Sequence, residues 1–313
     1  MIPPIPLPLT GGLYLGWALG ANNASNVFGT AVASRIISFR NACILCAIAV
    51  VVGAVLQGEA GIKTLSGLTI QTHSTLLIVT ISAAITTTLL TIFKLPISTS
   101  QAIVGAITGI GLAMDDMRWG GLVKVVICWV ATPIGAMLIS IVLYKTFDLI
   151  LRRVPMSMLT RDKLLWGGLI IVGVYGSYAL GANNVANATG VFSGQLPGVS
   201  DQWLATLGGL AIAAGVLTYS KRVMMAVGKG VMRPDAFTAF VAVSSMAVTV
   251  HIFAMIGVPV STSQGIIGAI IGIGLFRGAH VLKFRVLRNI VFGWLMTPAI
   301  SLVLAAAGFA IFC

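Results

Sequence analysis

The chain is expected to be an all-α integral membrane protein, with about ten transmembrane segments in two inverted-topology repeats of five and broken or re-entrant helices at the midplane. Three observations carry this. Only 8% of its 313 residues are charged and 58% are hydrophobic, with a mean hydropathy of +1.04, whereas soluble domains carry about 25% charged residues. The apolar residues form long continuous runs, not the alternating segments of about ten residues that mark a membrane β-barrel. Three motifs also recur in the same order in both halves, 161 to 165 residues apart.

In order, the apolar segments lie at about 9–33, 41–57, 74–93, 96–114 and 121–144, and then at 164–190, 203–219, 237–256, 259–276 and 289–312. Between them, residues 145–163 are the one clearly polar stretch, with Asp148, Arg152, Arg153, Pro155, Arg161 and Asp162. The expected organisation is a first repeat at 1–144, a basic cytoplasmic linker at 145–163 and a second repeat at 164–313. Lys and Arg gather in cytoplasmic loops. With both termini outside, the loops expected inside hold 16 of the 19 Lys and Arg, leaving Lys63, Arg118 and Lys124 outside. Making segments 4 and 9 re-entrant would put the linker outside, against that rule; segments 1 and 6 can still break at their Asn clusters. The net charge of +12 therefore reads as loop charge and not as a nucleic-acid surface, and the plasma (inner) membrane is the expected location. The N-terminal stretch has prolines but no basic region, so no cleavable signal peptide is expected. Cys43, Cys46, Cys128 and Cys313 make no disulfide framework; Cys43 and Cys46 sit in an apolar run and read as buried thiols.

The first motif is Gly20-Ala21-Asn22-Asn23-Ala24-Ser25-Asn26, repeated as Gly181-Ala182-Asn183-Asn184-Val185-Ala186-Asn187. Each carboxamide brings donors and an acceptor, and none can stay unpaired in hydrocarbon without penalty. The second is Pro96-Ile97-Ser98-Thr99-Ser100-Gln101, repeated as Pro259-Val260-Ser261-Thr262-Ser263-Gln264; the third, Trp129-x-x-Thr132-Pro133, returns as Trp294-x-x-Thr297-Pro298. Five segments per half, an odd number, insert the halves in opposite senses, a pattern of secondary transporters that hold substrate at the midplane between helix termini. Pro96 and Pro259 suit a first helical position, and the Ser/Thr residues after them suit capping. Two such helix N-termini make an anion cage. Asn22, Asn23, Asn26, Asn183, Asn184 and Asn187, with Ser98, Thr99, Ser100, Ser261, Thr262 and Ser263, are the candidate substrate ligands for a small tetrahedral oxyanion. Gln101, Gln264 and Thr30 are candidates for site support or a coupling ion. Gly16-x-x-x-Gly20, Gly105-x-x-x-Gly109 and Gly268-x-x-x-Gly272 read as packing surfaces. His73, His251 and His280 show no His–acid pair at helical spacing, so a proton relay is the minor reading for them.

These four motif copies resemble the inorganic phosphate transporter (PiT) family, including its sulfate-permease relatives, over nearly the whole chain. The family signature is close to Gly-Ala-Asn-Asp-Val-Ala-Asn in both halves, with Pro-[Ile/Val]-Ser-Thr-Thr-His as the second motif. The resemblance implies a secondary transporter that holds its substrate in both Asn motifs and both Ser-Thr turns and couples oxyanion uptake to Na+ or H+. The departures are paired: the family's Asp is Asn23 and Asn184 here, and its His is Gln101 and Gln264. Lys63 and Met225 stand where many members have Glu, and Glu59 is the one Glu in the chain. Without carboxylates, a sodium site near Asn23 and Asn184 must be built from neutral oxygens. Phosphate near neutral pH keeps a proton that needs an acceptor, whereas an Asn NH₂ can meet any oxyanion oxygen. The changes therefore favour sulfate as the alternative to phosphate, and an uncoupled anion channel is a further alternative. No zinc, P-loop or nucleophile–His–acid pattern occurs, so no enzyme and no cofactor is expected. The expected partners are the anion, the lipid bilayer and, at most, a second copy of the chain.

Overall fold

A helix needs a start signal, and here short polar side chains supply it. Ser38, Ser157 and Asp235 each accept a hydrogen bond from the backbone N–H three residues on, which pairs a donor that the first helical turn leaves free. The computed structural model describes residues 6–92, 97–227, 235–278 and 284–313, and the described residues form helices throughout. They are α1 (Leu7–Ala33), α2 (Phe39–Gln57), α3 (Glu59–Ser66), α4 (His73–Ile92), α5 (Thr99–Ala113), α6 (Trp119–Arg153), α7 (Met158–Thr189), α8 (Asp201–Val227), α9 (Ala236–Ile256), α10 (Thr262–Arg277) and α11 (Phe284–Phe312), with a 3-10 turn at Gly190–Phe192. Each of the ten apolar runs overlaps a helix, most ends within a few residues, while α6 and α8 run on eight or nine residues further.

Seven helices among the described residues are long and apolar enough to cross a membrane, and α5 and α10 are shorter apolar helices. The 15 residues of α5 rise only about 22 Å, short of the about 30 Å hydrocarbon core. α1 is not among the seven; its carboxamides and glycines dilute the apolar run.

Helices occupy most of the polar stretch 145–163: α6 runs on to Arg153, stabilised by an Asp148–Arg152 ion pair of 2.9 Å one turn apart, and α7 starts at Met158. Only Val154–Ser157 separate them, where Pro155 cannot continue a helix. One expectation is corrected, the place of the prolines. Pro259 lies two residues ahead of Ser261, the N-cap of α10, so it precedes the helix and does not open it. Pro96 lies outside the described residues.

Packing is reciprocal. α1 lies on α8 as α7 lies on α2; α5 lies on α11 as α10 lies on α6; and α1 meets α4 as α7 meets α9. Glycines set the closest crossings. A Cβ on Gly20 would run into the carbonyl of Ile212 on α8, and one on Gly181 into the carbonyl of Val50 on α2. Gly215 and Gly53 complete these crossings against Trp17 and Tyr178. Gly105 and Gly109 seat on Pro298 and Leu302, and Gly268 and Gly272 on Pro133 and Met137, so the small-residue pairs do serve packing. Gly181→Ala is expected to destabilise by about 1–3 kcal/mol through overpacking. Gly167→Ala, where a Cβ meets nothing within 4 Å, should be neutral. Thermal unfolding in detergent compares them, and equal melting would refute the crossing argument.

Candidate functional site

The two Asn motifs lie within the deeply buried lengths of α1 and α7, and the two Ser-Thr motifs begin α5 and α10. All six Asn side chains are 6% exposed or less. Ser98, Thr99, Ser100, Gln101 and their counterparts Ser261, Thr262, Ser263 and Gln264 are equally buried. The structure thus brings fourteen of the fifteen sequence-nominated residues into buried positions on four neighbouring elements. The exception is Thr30, only partly buried one turn beyond Asn26, which has no place in the hydrogen-bonded cluster.

Hydrogen bonds tie the halves together crosswise. Asn26 on α1 donates through Nδ2 to Thr262 Oγ1 (3.2 Å) and Ser263 Oγ (3.0 Å) on α10. Asn187 on α7 donates to Ser100 Oγ on α5 at 2.9 Å and to Asn184 Oδ1 at 3.0 Å. Ser100 in turn donates to the carbonyl of Val260 at 3.0 Å, linking α5 to the approach of α10. Asn22 donates to Thr91 Oγ1 on α4 at 3.0 Å. Asn183 is differently employed: its Nδ2 donates to the carbonyls of Val258 (3.1 Å) and Val250 (3.5 Å), and its Oδ1 accepts from the N–H of Val260 at 2.8 Å. It holds the bend between α9 and α10 and so sets where α10 begins.

Ser98 and Ser261 cap their helices, each accepting from the N–H of the Gln three residues on, at 3.3 and 3.2 Å. Ser-x-x-Gln is the sequence of a capping box, in which the Gln side chain reaches back to the cap N–H. Here that return bond is not made: Gln101 Oε1 and Gln264 Oε1 are buried and unpaired. The N–H groups of Thr99, Ser100, Thr262 and Ser263 have no acceptor within their own helices, and the positive dipole ends lie beside them. Among the described residues, twelve buried side-chain atoms lack a partner, and six belong to the four motif stretches: Asn23 Oδ1, Thr99 Oγ1, Gln101 Oε1, Asn184 Nδ2, Asn187 Oδ1 and Gln264 Oε1. Half of these orphans therefore fall within the four motif stretches. Thr91 on α4 joins the cluster unannounced, through Asn22; the Thr-rich run at 86–91 in an apolar helix was the available signal. No group of three His, Cys, Asp or Glu able to hold a metal occurs among the described residues.

Comparison with known proteins agrees with this architecture. Residues 19–305 match the model of the phosphate transporter family. A protein of Methanocaldococcus jannaschii described as a phosphate permease is 31% identical over 300 residues, covering 96% of this chain and 95% of its own. The sulfate permease CysP of Bacillus subtilis is 32% identical over 297 residues, covering 93% of this chain and 83% of its own. A solved structure described as the sodium-dependent phosphate transporter has the same fold, with a TM-score of 0.88, 23% identity and 97% coverage of both chains. The chain is a multi-pass membrane protein that belongs to the phosphate transporter family.

Proposed function

We propose that the protein is a secondary carrier of a tetrahedral inorganic oxyanion, phosphate or sulfate, which binds between the α1 and α7 Asn motifs and the N-termini of α5 and α10. The observation that carries this reading is the set of six unpaired buried atoms, three at the starts of α5 and α10 and three in the Asn motifs of α1 and α7. An anion there meets the free N–H groups of Thr99, Ser100, Thr262 and Ser263, the hydroxyls beside them and the NH₂ of Asn184. Asn23, Gln101 and Gln264 present NH₂ in the same direction once their amides turn over. As they stand, five of the six orphans are oxygens, the donor set of a hard cation, and this supports a sodium ion as co-substrate beside Asn23 without any carboxylate. Asn183 acts as a positioning residue for α10.

Ten membrane segments in two inverted repeats are the topology of this carrier, with both termini outside and residues 145–163 inside. The reciprocal packing and the crosswise pairs Asn26–Ser263 and Asn187–Ser100 support it. α5 and α10 are each shorter than a full span, as expected for discontinuous crossing segments whose helix termini stop at the midplane. Alternating access then rocks the helices around this site.

Sulfate is favoured over phosphate by the absence of any carboxylate among the cluster residues, and 32% identity to a sulfate permease, beside 31% to a protein described as a phosphate permease, is in keeping with that choice. Uptake of labelled sulfate and phosphate into proteoliposomes, with and without a sodium gradient, tests the proposal. Saturable uptake with counterflow of labelled for unlabelled anion is expected. Flux without counterflow would make the protein a channel, and no uptake or competition by either anion would remove the oxyanion reading.

A further inference from the structure

We propose that His251 is a proton-binding site coupled to the anion site, so that a proton taken up from the α3 side promotes opening of that site; this rests on the carrier reading above. His251 lies on α9, partly buried, with both ring nitrogens engaged. Nε2 is 2.7 Å from Gln57 Oε1 and Nδ1 is 2.7 Å from the Tyr175 hydroxyl. The rings of Tyr175 and Tyr178 stand edge-on to it at 5.4 and 5.6 Å. Gln57 presents a carbonyl oxygen, which only accepts, so Nε2 carries a hydrogen and Nδ1 of the neutral ring accepts from Tyr175. A second proton at Nδ1 needs only the tyrosine hydroxyl to turn and accept.

A supply and an output are both present. Gln57 lines an open cleft of about 460 Å³ that also carries Glu59 and Lys63 of α3, so the ring is one side chain from water. A proton from that water adds to the imidazole to give imidazolium, with no other bond made or broken. On the other side, the carbonyl of Val250, the preceding residue, accepts from Asn183. The same amide fixes Val258 and Val260 and hence the start of α10. A shift of α9 at His251 therefore reaches the α10 N-terminus through one side chain.

The other half lacks the device. The counterparts of Tyr175, Tyr178 and His251 one repeat earlier are Tyr14, Trp17 and Thr88, and that of Gln57 one repeat later is Tyr219 on α8; Tyr14 bonds to Thr88 at 2.8 Å and Trp17 lies against Tyr219. None of these is a histidine or a carboxylic acid. Around His251, α7 offers Tyr175 and Tyr178, and α3 offers Glu59 and Lys63, which are paired with each other at 2.6 Å. Between Lys124 and Lys145, α6 carries only Cys128 and Tyr144; α1 carries Tyr14; and Arg277 of α10 lies at the far end, paired with Asp235. Glu59 is thus the acid nearest the cleft.

The sign follows from solvation. The neutral ring is fully satisfied in this closed arrangement, whereas imidazolium gains from water and from Glu59 when the cleft opens. Protonation favours opening on the α3 side, so uptake rises as pH on that side falls.

Labelled sulfate tests this, because it does not change protonation between about pH 5 and 8, the range in which His titrates. Wild-type uptake into proteoliposomes is expected to rise about five- to tenfold from the alkaline to the acid end. His251→Gln should flatten the profile, and Tyr175→Phe should keep it with a displaced midpoint. A wild-type profile retained in His251→Gln overturns the proposal. A histidine-ring NMR titration of the detergent-solubilised protein, assigned by elimination with His73→Gln and His280→Gln, reads the proton directly. A His251 signal that does not titrate in this range overturns the proposal even where neither anion is transported, an outcome that on its own removes the carrier reading instead.

Discussion

Asn187→Leu is expected to lower anion uptake per folded carrier by about 100-fold. The substitution preserves volume and removes the amide that donates to Ser100 across the halves and to Asn184 within α7. Each buried polar group left without its partner costs about 1–3 kcal/mol, and two such losses compound to about two orders of magnitude in a step that requires the closed site. Asn26→Leu, which breaks the matching bonds to Thr262 and Ser263, should act alike, whereas Thr30→Val should leave uptake near wild type. Initial rates of labelled sulfate uptake, normalised to correctly folded protein, provide the measurement. Retention of a third or more of wild-type uptake by Asn187→Leu would show that the crosswise bonds do not form the site.

The double substitution Asn23→Asp with Asn184→Asp should raise the phosphate-to-sulfate uptake ratio at least about tenfold, since a like charge placed against sulfate is strongly unfavourable. Two carboxylates restore acceptors for the proton that phosphate carries. Asp at 184 still accepts from Asn187, and it removes the unpaired Nδ2; Asp at 23 puts its charge where an unpaired oxygen already lies. An unchanged ratio would mean that selectivity resides in the α5 and α10 termini instead.

The four motifs and ten apolar runs are legible along the chain because burial in a bilayer makes polar residues conspicuous. Their partners are not. That Asn26 reaches Ser263, 237 residues away, depends on how the halves meet, and no local pattern encodes it. Asn183 looks like Asn22 in sequence, yet it serves as a clasp on a chain bend. The helix starts were within reach: Ser98-x-x-Gln101 and Ser261-x-x-Gln264 announce an N-cap, and the prolines drew attention two residues too early. α3 is missed by any search for membrane-length runs, being eight residues long, although Glu59 and Lys63 at i and i+4 mark it. The extension of α6 past residue 144 is hidden for the converse reason, since charged residues continue a helix that apolar ones began.

The glycine crossings have a mechanical consequence. Because the backbones of α1 and α8, and of α2 and α7, touch with no side chain between them, those four helices cannot slide past one another without carbonyl meeting Cα. In the proposed carrier they would serve as a spindle. The α5–α11 and α10–α6 pairs are seated on their own glycines and would turn as two separate flywheels, each gripping one Ser-Thr terminus. On that reading a cross-link between α5 and α11 should be tolerated during turnover, whereas one between α10 and α7 should stall it.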